Sequence, residues 1–364
     1  MTIRPAEHGD EPRLRELLGG SAMPGWVRLA FGREPDFFHA IGVQGKTNQV
    51  MIAEAGGRVV GMGCRSVKPL WVNGERMDFG YLGGLRLHPG ARGGPWLARG
   101  YAALRRLHEA DPAPAYLTTI VEENSHARRL LASGRAGLPH YLDRGRYITH
   151  AICLRGGGAP RPGAGVEIRR GDEIGPEPIL GFLGEFGRRR QFFPVLEAGD
   201  FGGDYLRGLS LGDFRVALKA GKILGVAAAW DQRAFKQVIV RGYAPPIRFA
   251  RPVLSALLRF AGFRGLPAAG RSLNSVYVAF ACVRDDDPGV MRALLGRIRA
   301  EHRDGDNQFL LYGLHERDPL AAAVRDFRAF RYVSRLYLVC WDDGLDFVKR
   351  LDPARIPHLE PASL

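Results

Sequence analysis

Cysteine, lysine and carboxylate are scarce in this chain, and each scarcity narrows the field. The four cysteines, Cys64, Cys153, Cys282 and Cys340, stand singly, without CxxC spacing or clustered histidines. That pattern excludes a disulfide framework and a zinc ribbon, so no metal ligands are expected and the thiols read as reduced core residues. Lysine supplies six of the 52 cationic side chains and arginine the rest; against only 38 acids this leaves a formal charge of +14. No run approaches the roughly 18 to 20 apolar residues of a spanning helix, and the first residues, MTIRPAEHGDEPRLRELL, are charged where a leader would be apolar. A cytoplasmic protein is the expectation. The arginines are spread along the chain, without interleaved aromatic and basic motifs or a helix-turn-helix signature, so no nucleic-acid partner is expected. A positive field still draws acidic cofactors, acidic carrier proteins or an anionic membrane surface. The dense run Arg188-Arg189-Arg190 reads as a solvated turn or helix end.

What is present is a globular composition, 46% hydrophobic and 25% charged, with length for roughly two domains. The chain also repeats itself. VMIAEAGGRVVG at 50–61 reads against FRVALKAGKILG at 214–225 with an offset of 164, and 81–95 reads against 274–288 with an offset of 193, as does 116–123 against 309–316. The expected organisation is therefore one α+β unit at 1–154, a Gly/Pro linker at 155–165, a second such unit at 166–345 and a tail at 346–364. In the first unit, strands are expected near 2–5, 49–55, 58–70, 76–87, 115–121 and 146–154. Helices fall near 10–19, 35–42, 95–109 and 124–133. Asn73-Gly74 between apolar runs signals a hairpin. A crossover through the helix at 95–109 makes the strands before and after it parallel neighbours in a mixed, mostly antiparallel sheet.

The richest segment is YLGGLRLHPGARGGPWLARGYAALRRL at 81–107: an apolar strand, a basic glycine-rich loop, then an amphipathic helix. Outward-pointing amides at the positive end of a helix dipole make a seat for phosphate. Arg92 adds a cation, Gly93 and Gly94 allow close approach, and Pro95 suits the first helical position. Leu97, Tyr101, Leu104 and Leu107 would hold the helix against the sheet.

LHPGARGGPWL and ENSHARRLL together resemble the GNAT acyltransferase superfamily. The first is similar to its phosphate loop, and Asn124, Ala127 and Leu130 of the second match its Asn-x-x-Ala-x-x-Leu helix opening. The resemblance implies two tandem GNAT-like units, each a mixed sheet flanked by helices, the first binding acetyl-CoA or another acyl-CoA. It places the pantetheine arm on the main chain of Leu85, Arg86 and Leu87, the pyrophosphate on Arg92, Gly93, Gly94, Pro95 and Trp96, and the cofactor arm near Asn124. Leu131 stands where many members carry a thiolate-protonating tyrosine; Tyr141 and Tyr147 lie shortly downstream. Glu122 and Glu123, at the end of a strand beside the thioester, are candidate bases, as is His88. In distant tandem relatives the terminal carboxylate is the base, which points to Glu360 or Leu364. The VRDDDP segment, with Asp285, Asp286 and Asp287 in the equivalent loop, would repel a pyrophosphate, so the second unit is expected to bind none and to form one wall of a substrate cleft. The implied activity is acyl transfer to a small-molecule or lipid amine. The alternatives are a non-catalytic acyl-CoA-binding module and a long-chain N-acyltransferase acting on a lipid amine.

Overall fold

The computed structural model describes residues 2–22, 26–91, 95–135, 137–156, 165–260 and 262–364. The first half runs β1 (Thr2–Pro5), α1 (Glu11–Gly20), β2 (Val27–Gly32), α2 (Phe37–Ile41), β3 (Thr47–Ala55), β4 (Arg58–Val72), β5 (Glu75–Leu87), α3 (Trp96–Ala110), β6 (Tyr116–Val121), α4 (Ser125–Leu131) and β7 (His140–Cys153). The second half runs β8 (Glu167–Arg170), α5 (Gly171–Ile174), α6 (Pro176–Gly187), β9 (Phe193–Pro194), β10 (Phe214–Lys219), β11 (Lys222–Trp230), β12 (Gln237–Tyr243), α7 (Pro245–Phe260), β13 (Ser275–Val283), α8 (Pro288–His302), β14 (Phe309–His315), β15 (Ala329–Cys340) and α9 (Leu345–Lys349). Most of the linker, 157–164, lies outside the described residues.

The expected α+β architecture is present, with one refinement: the two halves share a single sheet. Its order is β1-β3-β4-β5-β6-β15-β7-β14-β13-β11-β10-β8, with β9 pairing β4. The last strand of each half is exchanged. β15 pairs β6 of the first half, β7 pairs β14 of the second, and β7 and β15 pair each other at the centre. Leu117, Ile148, Ile152, Leu310, Leu336 and Leu338 of these four strands are buried along this seam.

Local sequence accounts for most elements. Asn73 and Gly74 take φ of 53° and 87°, the pair of left-handed residues that a tight β4–β5 hairpin needs. Tyr101 is buried on α3 with Leu97 and Leu104 packed around it, as the helical spacing requires. β2 was not anticipated: it leaves the main sheet to pair with β12, some two hundred residues away, and local pattern carries no sign of that partner. The four cysteines are unpaired, and Cys64, Cys282 and Cys340 are buried. Among the described residues, no helix is long and apolar enough to cross a membrane.

Candidate active site

The site is set by where two parallel strands stop pairing. β5 bonds β6 only at Gly80–Tyr116 and Tyr81–Leu117, after which the strands diverge and leave a V between 82–87 and 118–121. Gly80 makes the apex possible, since a Cβ there would fall 2.0 Å from the Tyr116 ring. A bulge follows: the β4 register jumps from Cys64–Gly83 to Met62–Arg86. Gly84 sits in it at φ +64°, where an added Cβ would meet the Cys64 sulfur at 2.9 Å. The His88 amide bonds the Val60 carbonyl at 2.7 Å on the β4 side. Strand alternation therefore aims the Leu87 amide at the opposite edge, which β6 has vacated.

The second half repeats this geometry. β13 bonds β14 only through Ser275, Val276 and Tyr277, then diverges. Its register against β11 jumps between Val226–Cys282 and Ala228–Ala279, with Phe280 in the bulge at φ +50°. Residues 62 and 64 thus answer 226 and 228 at the expected offset of 164, but 83 and 86 answer 279 and 282, an offset of 196 and not 193. Pro95 caps α3 whereas Pro288 is the first residue of α8, so the loop before α8 is four residues shorter than its counterpart before α3.

The two Vs differ in what fills them. In the second, the Phe280 amide donates to Glu360 Oε2 at 2.8 Å, and a Cβ on Gly313 of β14 would lie 2.7 Å from Pro361 Cγ. The C-terminal tail therefore occupies the second V. It is pinned there by Gln191, whose carbonyl accepts from the His358 amide at 2.7 Å and whose amide donates to the Ile356 carbonyl at 3.0 Å. The Tyr147 hydroxyl donates to the Leu359 carbonyl, and the Ala362 carbonyl accepts from Gln232 Nε2 at 2.9 Å and Lys236 Nζ at 3.0 Å. Residues 359–363 are buried. Leu364 packs against a hydrophobic cluster that also holds Leu359, Tyr147 and Tyr81.

Cations gather around this tail. Lys68 and Lys236 are both buried. Burial pulls Lys68 down to about 8 against the attraction of Glu360. Lys236 falls well below its ordinary value through burial and repulsion from Arg33 and Lys68. Arg33 also lies in the field of Arg86, Tyr81, Cys64 and Tyr277.

The helix starts differ as well. Asp287 caps α8, its carboxylate accepting from the Gly289 amide at 2.7 Å. α3 begins at Trp96, one residue later than expected, with Pro95 at the cap position and no side-chain capping bond. Beside the second loop is a cleft of about 510 Å³ lined by Arg189, Arg190, Asp285, Asp286 and Arg355. Its charges satisfy one another: Arg190 pairs with Asp286 and, at 3.0 Å, with Asp318, and Arg189 reaches Asp285 at 3.5 Å. Arg190 is buried, so the arginine run is an anchor at the end of α6 and not simply a solvated turn.

The sequence matches no family model and no curated protein. Among solved structures it is similar to Saccharomyces cerevisiae N-myristoyltransferase with bound myristoyl-CoA, at a TM-score of 0.56 and 11% identity over 93% of this chain and 78% of that one. It is also similar to the GCN5-related glucosamine N-acetyltransferase region of a fungal multi-domain GH3 beta-N-acetylglucosaminidase, at 0.59 and 12% over 93% of this chain and 38% of that one. The fold is of the GNAT type.

Placed on this GNAT fold, the sequence candidates separate. Leu85, Arg86 and Leu87 line one arm of the first V, and Pro95 and Trp96 open α3; Arg92, Gly93 and Gly94 lie outside the described residues. Asn124 caps α4, its Oδ1 accepting from the Ala127 amide at 3.1 Å. Glu122 is held by Arg146 at 2.7 Å and Arg335 at 3.7 Å, and the Arg146 hydrogen bond keeps its carboxyl below the usual range. Glu123 is exposed. Tyr141 shares its register partner, Val339, with Tyr116, which puts it at the closed end of the V. Its hydroxyl bonds that of Tyr101, and burial raises it well above the ordinary value. Tyr147 is level with Val121 at the open end but is committed to the tail. His88 Nδ1 accepts from the Gly90 amide at 3.2 Å, a loop contact. Sequence reasoning missed Lys68 and Lys236; nothing local marks a lysine that tertiary packing will bury.

Proposed function

We propose that this protein is an acyl-CoA-dependent N-acyltransferase that holds its acyl donor in the first V alone. The observation that carries this reading is the asymmetry between halves: own carboxylates fill the Phe280 amide and the α8 start in the second, whereas the Leu87 edge and the α3 start in the first carry no such group among the described residues. Acyl-CoA supplies a thioester, a pyrophosphate and an extended amide arm. Free strand amides suit the arm, and the uncapped helix start with Arg92, Gly93 and Gly94 suits the pyrophosphate.

Transfer requires a neutral amine, an acyl carbonyl held in place and a group to take the proton. Glu360 is already spent on the Phe280 and Ala362 amides, at 2.8 and 3.2 Å. As the amine nitrogen bonds to the carbonyl carbon, the carbon–sulfur bond breaks, the amine proton passes to water and the thiolate leaves.

Coenzyme A should raise the melting temperature by several degrees, since it binds only the folded state. Arg92→Glu should abolish that rise; an unchanged rise would refute the site. Thioester consumption with a panel of amines then separates an enzyme from a non-catalytic binder, a reading that Leu131 at the usual tyrosine position favours.

A further inference from the structure

We propose that α7 docks this protein on an anionic lipid surface. The first half crosses from β4 to β5 in the two residues Asn73 and Gly74, whereas the second crosses from β11 to β13 through residues 231–274, which form β12, α7 and a return loop. This inserted segment is unlike the rest of the chain. No carboxylate side chain occurs between Asp231 and Asp285, while six arginines fall between Gln237 and Asn274: Arg241, Arg248, Arg251, Arg259, Arg264 and Arg271.

α7 turns its apolar side outward. Phe249, Val253, Leu257 and Phe260, spaced by four, four and three, lie on one face, and Phe249 and Phe260 are 79% and 95% exposed. Only Ser255 is fully buried, its hydroxyl accepting from the Leu266 amide of the return loop at 3.1 Å. Arg248 and Arg259, both exposed, follow the flank of the stripe at helical spacing. Trp26, 67% exposed, adjoins the start of the helix, its carbonyl accepting from the Ala244 amide at 2.9 Å. A contiguous apolar stripe of this kind costs free energy in water and marks an interaction surface.

The occupant follows from shape and charge. A lone convex helix with aromatics at both ends, arginine on its flank and no acid in its own segment suits insertion at the boundary between headgroups and acyl chains, with arginine on the phosphates. A protein partner would need a complementary apolar groove as well as acids, whereas an anionic bilayer supplies both chemistries over any area. The inference does not depend on acyl transfer, since α7 lies outside both Vs.

The test is flotation of the full chain with vesicles of phosphatidylcholine alone or with 30% phosphatidylglycerol, a composition chosen for charge. Binding is expected on the anionic vesicles, at least tenfold weaker on the neutral ones, and weakened by salt. F249S/F260S should lower the partition coefficient at least tenfold, and R248Q/R259Q about twenty-five-fold, at roughly five-fold per arginine. All four side chains are exposed, so melting temperature and coenzyme A stabilisation should not move. Equal binding of wild type and both variants, or no binding to anionic vesicles, would overturn the proposal. So would a dimer of wild type that F249S/F260S dissolves without any vesicle binding, which would assign the face to a second copy of this chain.

Discussion

Two halves of one sheet carry the same strand bulge and the same parting of parallel strands, yet among the described residues only the second V holds a carboxylate of the protein itself. Where the first half has Gly84 in the bulge and Pro95 at the helix start, the second has Phe280, whose amide donates to Glu360, and Asp287, whose carboxylate accepts from the Gly289 amide. The difference teaches that a ligand slot is lost by being satisfied from within. An amide bonded to Glu360 and a helix start bonded to Asp287 offer nothing to an outside anion.

The sharpest way to break the comparison is to give the first half the second half's cap. Pro95→Asp should leave the apo protein as stable or up to about 1 kcal/mol more stable, yet abolish coenzyme A stabilisation in a thermal shift assay. Persistence of that stabilisation would remove the helix start from the site.

Glu360→Gln keeps an acceptor for the Phe280 amide but removes the charge that faces Lys68 and Lys236. Chemical denaturation should show a loss of about 3 kcal/mol, as for other broken buried pairs. Lys68 itself makes a pH prediction. Its folded value near 8 lies below the ordinary 10.5, so the unfolded state binds more protons between these values and wild-type stability rises with pH across that window. Lys68→Met should flatten part of the rise, and an unchanged slope would show that the ammonium is not desolvated. The smallest effect belongs to Glu122→Gln, which breaks a half-exposed pair with Arg146. Less than about 1 kcal/mol of stability should be lost, with turnover within about twofold, whereas a large drop in kcat would restore Glu122 as base.

Much of the fold was legible locally. The 3.6-residue spacing of Leu97, Tyr101 and Leu104, the Asn73-Gly74 turn and the offset of 164 each report short-range physics, and each has its counterpart in the structure. The offset of 193 held for β6 and β14 but not for β5 and β13, because gaps in a turn leave no periodicity by which to place them. Of the site, the glycine-rich loop stood out in the sequence as a motif, with Arg92, Gly93 and Gly94 outside the described residues. The tail was visible only as a possibility implied by resemblance, and β2 and the two buried lysines were not visible.

By itself the sequence indicated most strands and helices of the first half, a repeat at an offset of 164 and a basic glycine loop in the first half alone; these depend on residues near one another in the chain. Tertiary structure decided that β7 and β15 trade places and that Glu360 closes the second V. Those outcomes join groups far apart in sequence, and their free energy comes from burial and pairing that exist only once the sheet has closed.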